Sequence, residues 1–160
     1  MQIYNILKEY VETCRVAAET NDLAMLKKYL PKLKSQLMDA QYNIYISKYI
    51  ETAIDNGFDE VYGAVIGEVT DFYSTAMKKN FEQLVKKDKE NYLEQLFKAV
   101  EKKSSPKEAV KFRTVLLLNT AFHVGSVKMA RRAVENGADI HLVNTNFIMF
   151  LKYEELNINN

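Results

Sequence analysis

The chain has 160 residues, with 22 basic against 21 acidic side chains, a formal net charge of +1, 48% hydrophobic residues, one cysteine and two prolines. Charges that nearly cancel argue against a global field drawing in nucleic acid or an anionic membrane surface, and a lone cysteine, Cys14, excludes an internal disulfide. The length suits one domain, or a short array of stacked units, and the scarcity of Gly and Pro describes a folded, mostly helical chain.

From the N-terminus, Ile3, Ile6, Leu7, Tyr10, Val11 and Cys14 fall on one helical stripe with Asn5, Lys8, Glu9 and Glu12 opposite, so the spacing predicts a first helix over 3–14. TNDL at 20–23 interrupts it. Leu23, Leu26, Tyr29, Leu30 and Leu33 form a second stripe, which Pro31 is placed to kink or end. After a polar pause at 35–41, Tyr42, Tyr45, Ile46, Tyr49, Ile50, Ala53 and Ile54 make a third, closed by DNGFD, where Gly57 suits the left-handed residue just past a helix end. Val61, Ala64, Val65 and Val69 follow, then Phe72, Tyr73, Ala76, Met77, Leu84 and Val85, and after the charged KKDKEN come Leu93, Leu96, Phe97 and Val100. SSPKE at 104–108 starts another helix: Ser105 is the cap, Pro106 lies in the first turn, Glu108 completes a capping box, and the helix runs to His123 or Val124. Only ADIHLVN, short as it is, alternates like a strand.

The breaks recur. Asn21, Gly57, Asn91 and Gly125 are spaced by 36, 34 and 34 residues, and Asn and Gly are the residues that most readily adopt the left-handed conformation ending a helix. Four residues before these anchors stand Ala17, Ala53, Lys87 and Ala121, and seven before stand Cys14, Ile50, Leu84 and Leu118; Lys87 alone breaks the apolar register. At plus eight come Tyr29, Val65, Ala99 and Ala133, and at plus nine Leu30, Ile66, Val100 and Val134. A period of this length predicts one helix-turn-helix unit used about four times.

The fourth unit, AFHVGSVKMARRAVENGADIHLVN at 121–144, resembles the second half of an ankyrin repeat: an alanine, a glycine opening the second helix, and a helix ending in ENGAD. It departs from that family where Leu116, Leu117, Leu118 and Asn119 replace the Thr-Pro-Leu-His start and where Arg132 replaces a core leucine. Units one to three lack Gly-Ala-Asp and match by period alone. The resemblance implies a single all-α domain over 1–160, a degenerate ankyrin-like α-solenoid of about four stacked helix-turn-helix pairs, with TNFIMFLKYEELNINN as a C-terminal capping helix.

Neither His123 nor His141 has the partners of a zinc site, Cys14 lies on an apolar stripe, and GAVIG at 63–67 lacks the Lys-Ser/Thr of a phosphate loop. The expectation is a non-enzymatic chain without metal or cofactor. The resemblance implies a protein-protein interaction module, such as an adaptor, inhibitor or effector, that holds its partner on a concave face. Its contacts would be the two residues before each turn: Glu19 and Thr20, Asp55 and Asn56, Lys89 and Glu90, and His123 and Val124. Asp139 and His141 of a finger would join them. Tyr42, Tyr45 and Tyr49, on one helix face, are core tyrosines with wet tips or an additional hot spot. A ligand-binding or enzymatic helical bundle and an oligomerising scaffold are the alternatives. The first residues alternate charged and apolar side chains unlike a signal peptide, and VLLL at 115–118 falls far short of the roughly 20 residues that cross a bilayer. Cytoplasmic residence is expected, with neither nucleic acid nor membrane as partner and with delivery into a host cell left open.

Overall fold

The computed structural model describes residues 2–142, and side chains over 5–141. These residues form α1 (Gln2–Glu19), α2 (Leu23–Ser35), α3 (Asp39–Asn56), α4 (Asp59–Ile66), α5 (Thr75–Lys86), α6 (Glu90–Lys103), α7 (Pro106–Lys111), a π-helical segment (Phe112–Leu116), α8 (Leu117–Val124) and α9 (Val127–Glu135). No strand occurs among the described residues. The capping helix expected after residue 144 lies outside them.

The chain packs as two compact units, Met1–Asn80 and Phe81–Asn160. In the first, α1 pairs with α2 and α3 with α4, while α1 also packs on α3 and α2 on α4. Leu26, Leu30 and Leu33 of α2 are buried, as are Ile46, Ile50, Ala53 and Ile54 of α3, in the register that the stripes predicted. Pro31 does not end α2, which continues to Ser35. Its ring is exposed, so the carbonyl left without a donor one turn earlier lies on the water side of the helix.

The apolar run from Val61 to Val85 is not one helix: α4 stops at Ile66 and α5 starts at Thr75. Polar side chains of α3 hold the intervening segment. The Asn43 carboxamide donates to Thr70 Oγ1 (2.6 Å) and accepts from the Thr70 N–H (2.9 Å), and the Tyr42 hydroxyl donates to Glu68 Oε2 (2.9 Å). Further along, the Ser47 hydroxyl lies 2.6 Å from Asn80 Oδ1 and 3.0 Å from the Ala76 carbonyl, and Asn80 Nδ2 donates to the Ser47 carbonyl (3.2 Å). Asn43, Ser47 and Asn80 are the buried polar residues among those described, and each is hydrogen-bonded, as burial demands.

The second unit is built on aromatic contacts. Phe81 meets Phe97 and Phe112 edge-on, with ring centroids 6.4 and 5.8 Å apart. Ser105 caps α7 as expected, its hydroxyl accepting from the Glu108 N–H (3.1 Å), and the helix continues through the π-helical segment to Val124. Asn136, just past α9, donates to the Arg113 carbonyl inside that segment (3.1 Å), the type of side-chain insertion that accompanies a π-bulge.

Candidate protein-interaction surface

One turn recurs in both units. Asn21, Gly57, Asp88, Gly125 and Gly137 have φ of 57°, 69°, 58°, 77° and 107°. The next residue's N–H donates back to the carbonyl four residues before the left-handed one: Asp22 to Ala17 (2.8 Å), Phe58 to Ala53 (3.0 Å), Lys89 to Leu84 (3.0 Å), Ser126 to Ala121 (2.8 Å) and Ala138 to Ala133 (2.9 Å). This is the long bond of a Schellman motif, which satisfies a carbonyl that the helix end leaves open. The accepting residues, four alanines and a leucine, are all buried. After the first four turns the same residue serves as N-cap of the following helix, and Asp22 and Ser126 do so through their side chains, accepting from Met25 N (3.1 Å) and Met129 N (3.2 Å).

Three of the four predicted anchors occupy this turn. Asn91 does not: it lies inside α6, and Asp88 takes the left-handed position three residues earlier. Asp, like Asn, tolerates that conformation because its short side chain bonds locally. With the corrected anchor Leu84 replaces Lys87 at the buried position and Leu96 and Phe97, both buried, replace Ala99 and Val100 at plus eight and nine, but the turns are then 36, 31 and 37 residues apart, not the near-constant 36, 34 and 34 expected, and Val134 at plus nine of the fourth unit is exposed. Lys89 and Glu90 therefore follow the turn, as N-cap and first residue of α6, and Lys86 and Lys87 occupy the places before it. Arg132, the apparent misfit of the fourth unit, is answered by Glu90, to which it donates at 2.8 Å.

The remaining pre-turn residues sit where expected. Glu19, Thr20, Asp55, Asn56 and His123 are exposed and Val124 is half-buried. Glu19 pairs with Arg15 (2.7 Å), the Thr20 hydroxyl and the Asn56 carboxamide fold back onto the carbonyls of Val16 and Thr52, and His123 Nε2 lies 3.9 Å from Glu82. Asp139 and His141 are exposed but belong to no finger. The Asp139 carboxylate accepts from the His141 N–H (2.9 Å), and Ile140–Leu142 winds into a 3₁₀ turn in place of the expected strand.

Tyr42 and Tyr49 are core residues, buried in the first unit, and Tyr45 is half-buried. Burial, and for Tyr42 the bond to Glu68, raises both phenols well above their ordinary range. Cys14 is wholly buried beside them, and burial pushes its thiol up to about 11. It is therefore neutral at physiological pH and not activated as a nucleophile.

Sequence reasoning missed the charge lattice of the second unit. Lys128 Nζ reaches Asp88 (2.7 Å) and Glu90 (3.7 Å), and Arg113 forms a two-pronged pair with Glu94 (2.6 and 2.7 Å) while lying 4.9 Å from the centre of the Phe97 ring. The Arg113 guanidinium holds the Glu94 carboxyl below its usual range. Lys128 and Arg132, one helical turn apart, were the available signal. Between α6 and α9 lies a cleft of about 50 Å³, lined by Glu90, Glu94, Phe97, Arg113, Arg132 and Asn136 among others, well below the roughly 300 Å³ at which small-molecule pockets begin. Among the described residues no three His, Cys, Asp or Glu side chains converge to hold a metal ion, and no helix is long and apolar enough to cross a membrane. Comparison with protein-family models, curated proteins and solved structures gives no match.

Proposed function

We propose that the chain is a protein-protein interaction module, an adaptor, inhibitor or effector without catalytic activity, assembled from degenerate ankyrin-like helix pairs. It grips its partner through the residues that precede its turns. The observation behind this reading is the repeated turn, which separates buried positions that hold the helices together from exposed positions free to vary. In the first unit the packing of α1 on α3 and of α2 on α4 also fits pairs stacked like with like. The pre-turn side chains differ in character: Glu19 and Asp55 in the first unit, Lys86, Lys87 and His123 in the second.

Affinity purification with the wild-type chain and with a variant carrying Asp55→Ala, Asn56→Ala, His123→Ala and Val124→Ala tests the proposal. The variant keeps its melting temperature and loses a partner that the wild type retains. Recovery of the same partners by both chains refutes the contact list. A second quadruple variant at exposed positions away from the turns, Glu9, Lys48, Lys79 and Lys107, retains the partner.

A further inference from the structure

The second helix has an unusual charge pattern. Between Leu23 and Ser35, α2 bears Lys27, Lys28, Lys32 and Lys34 and no acidic residue. Leu26, Leu30 and Leu33 turn inward, while all four lysines are exposed. Met25, Lys28, Tyr29 and Lys32 stand at i, i+3, i+4 and i+7, so they share one stripe of the helix surface. Met25 is 39% exposed, and Met38, just beyond the helix, is 75% exposed, the most of any large hydrophobic residue described.

The arginines Arg15, Arg113 and Arg132 and the lysines Lys111 and Lys128 meet carboxylates: Arg15 with Glu12 and Glu19, Arg113 with Glu94, Lys111 with Glu108, Lys128 with Asp88, Arg132 with Glu90. Among the described residues none of the four α2 lysines has an ion pair. Three of the four ammonium groups lie over aromatic rings. Lys32 Nζ lies 4.6 Å and Lys28 Nζ 5.7 Å from the centre of the Tyr29 ring, and Lys34 Nζ lies 5.8 Å from that of Tyr42. Tyr29 is itself held edge-to-face against Tyr10 of α1, with centroids 6.0 Å apart. Such contacts order a lysine head without neutralising it. Lys28 and Lys32 are about 6 Å apart along the helix and on the same stripe, within the Debye length of about 8 Å at physiological ionic strength, so an approaching anion feels the two charges together.

We propose that the stripe of α2 carrying Met25, Lys28, Tyr29 and Lys32 docks an acidic, partly apolar segment of a partner protein, its carboxylates over Lys28 and Lys32 and its apolar side chains against Met25 and Met38. Charge complementarity names the carboxylates, and the two flanking methionines, whose flexible thioethers adapt to varied apolar surfaces, name the rest. A nucleic acid is the poorer fit because α2 has no arginine for two-pronged phosphate contact, and Tyr29, the ring on this face that a base would stack on, is already covered by Lys32. An anionic membrane is also poorer, since the face lacks the Trp, Phe or Leu that insert below headgroups. This surface is distinct from the turn ends and does not rest on the function proposed for them.

The test uses the full chain and three fluorescent probes: a synthetic helical peptide of Glu and Leu, a single-stranded oligonucleotide, and vesicles containing phosphatidylserine. The expected result is that the peptide binds most tightly, that Lys28→Glu with Lys32→Glu weakens it by at least about tenfold, and that added salt weakens it too. Met25→Ser with Met38→Ser weakens the Glu-Leu peptide but not a Glu-Ser control peptide. If charge reversal perturbs the helix, Lys28→Gln with Lys32→Gln removes the charge at positions that keep a good helix former, and the same loss is expected. Unchanged peptide affinity in folded variants, no peptide binding at all, or tighter binding of the oligonucleotide or the vesicles overturns the proposal.

Discussion

Replacing Gly57 by alanine isolates the backbone component of the recurring turn. A Cβ built on Gly57 meets no atom within 4 Å, so nothing in the packing resists it. What resists is the backbone: φ is 69° and ψ is 33°, left-handed values that cost an L-residue about 1–2 kcal/mol. Alanine also restricts the unfolded chain, which returns about 0.4–1 kcal/mol, and the net expectation is a loss of about 1 kcal/mol. Gly67 is the control. Its φ of −67° is right-handed and its added Cβ would lie 3.4 Å from the Ala64 carbonyl oxygen, an ordinary contact, so Gly67→Ala is neutral or gains up to about 1 kcal/mol. Asp88→Gly runs the other way: it relieves about 1 kcal/mol of left-handed strain, but it loosens the unfolded chain by about 0.4–1 kcal/mol and gives up the exposed Lys128 pair, itself worth about 0–1 kcal/mol, so the net change is close to zero and smaller than the loss on Gly57→Ala. Urea titrations give the three values, and hydrogen exchange at the Phe58 amide, which donates to the Ala53 carbonyl, reports the turn itself. Equal shifts for Gly57→Ala and Gly67→Ala, or a loss on Asp88→Gly as large as that on Gly57→Ala, would refute the claim that these sites share one conformational requirement.

Two further outcomes follow from the first unit. Ser47→Ala strands the buried Asn80 side-chain oxygen and Asn80→Leu takes away the nearer acceptor of the Ser47 hydroxyl, each at about 1–3 kcal/mol, yet the double variant loses less than the sum because both polar partners leave together; a urea double-mutant cycle that is additive within about 0.5 kcal/mol contradicts this. Cys14 has a native pKa raised from its ordinary 9.0 to about 11, so its contribution is fully present below pH 9 and is lost as pH rises from 9 toward 11, where only the unfolded chain readily ionises. Tyr42 and Tyr49, also raised, add to the alkaline loss. Cys14→Ala makes the stability-pH curve shallower in that window, and an unchanged slope is the contrary result.

The helices were legible in the sequence because their apolar stripes are regular and their punctuation is sharp. Ser105 and Pro106 marked a start, and Gly57 and Gly125 marked ends, through chemistry that acts within a single turn. Asp88 was missed because Asp and Asn are near equals in the left-handed region and only the three-dimensional bond from the Lys89 amide to the Leu84 carbonyl separates them; Lys87 at a position expected to be buried was the sign of the misplacement. The break at 67–74 was invisible for a different reason. It depends on Tyr42, Asn43 and Ser47 reaching across to residues 26 to 33 positions away, while Val69 and Phe72 remain buried and keep the apolar rhythm of a helix. In the candidate surface, exposure of the pre-turn residues followed from helix geometry, but the Asx contact that winds Asp139 and His141 into a 3₁₀ turn had no counterpart in the apparent strand alternation.

The separation of buried and exposed positions around each turn has a consequence for recognition. The positions four before and five after the left-handed residue are buried at all four helix-to-helix turns, Ala17 and Leu26, Ala53 and Tyr62, Leu84 and Leu93, Ala121 and Ala130, so they fix the geometry whatever the neighbouring surface carries. The exposed residues then answer to the partner alone. In the first unit the turn ends carry Glu19, paired with Arg15, and Asp55, while α2 carries lysines without a carboxylate partner, so the two surfaces differ in charge. Screening confines the field of each to about 8 Å, so the two surfaces select their occupants separately. Charge reversal at Asp55 and charge reversal at Lys28 and Lys32 are therefore expected to release different contacts, and a single occupant lost equally from both variants would argue for one continuous interface in their place.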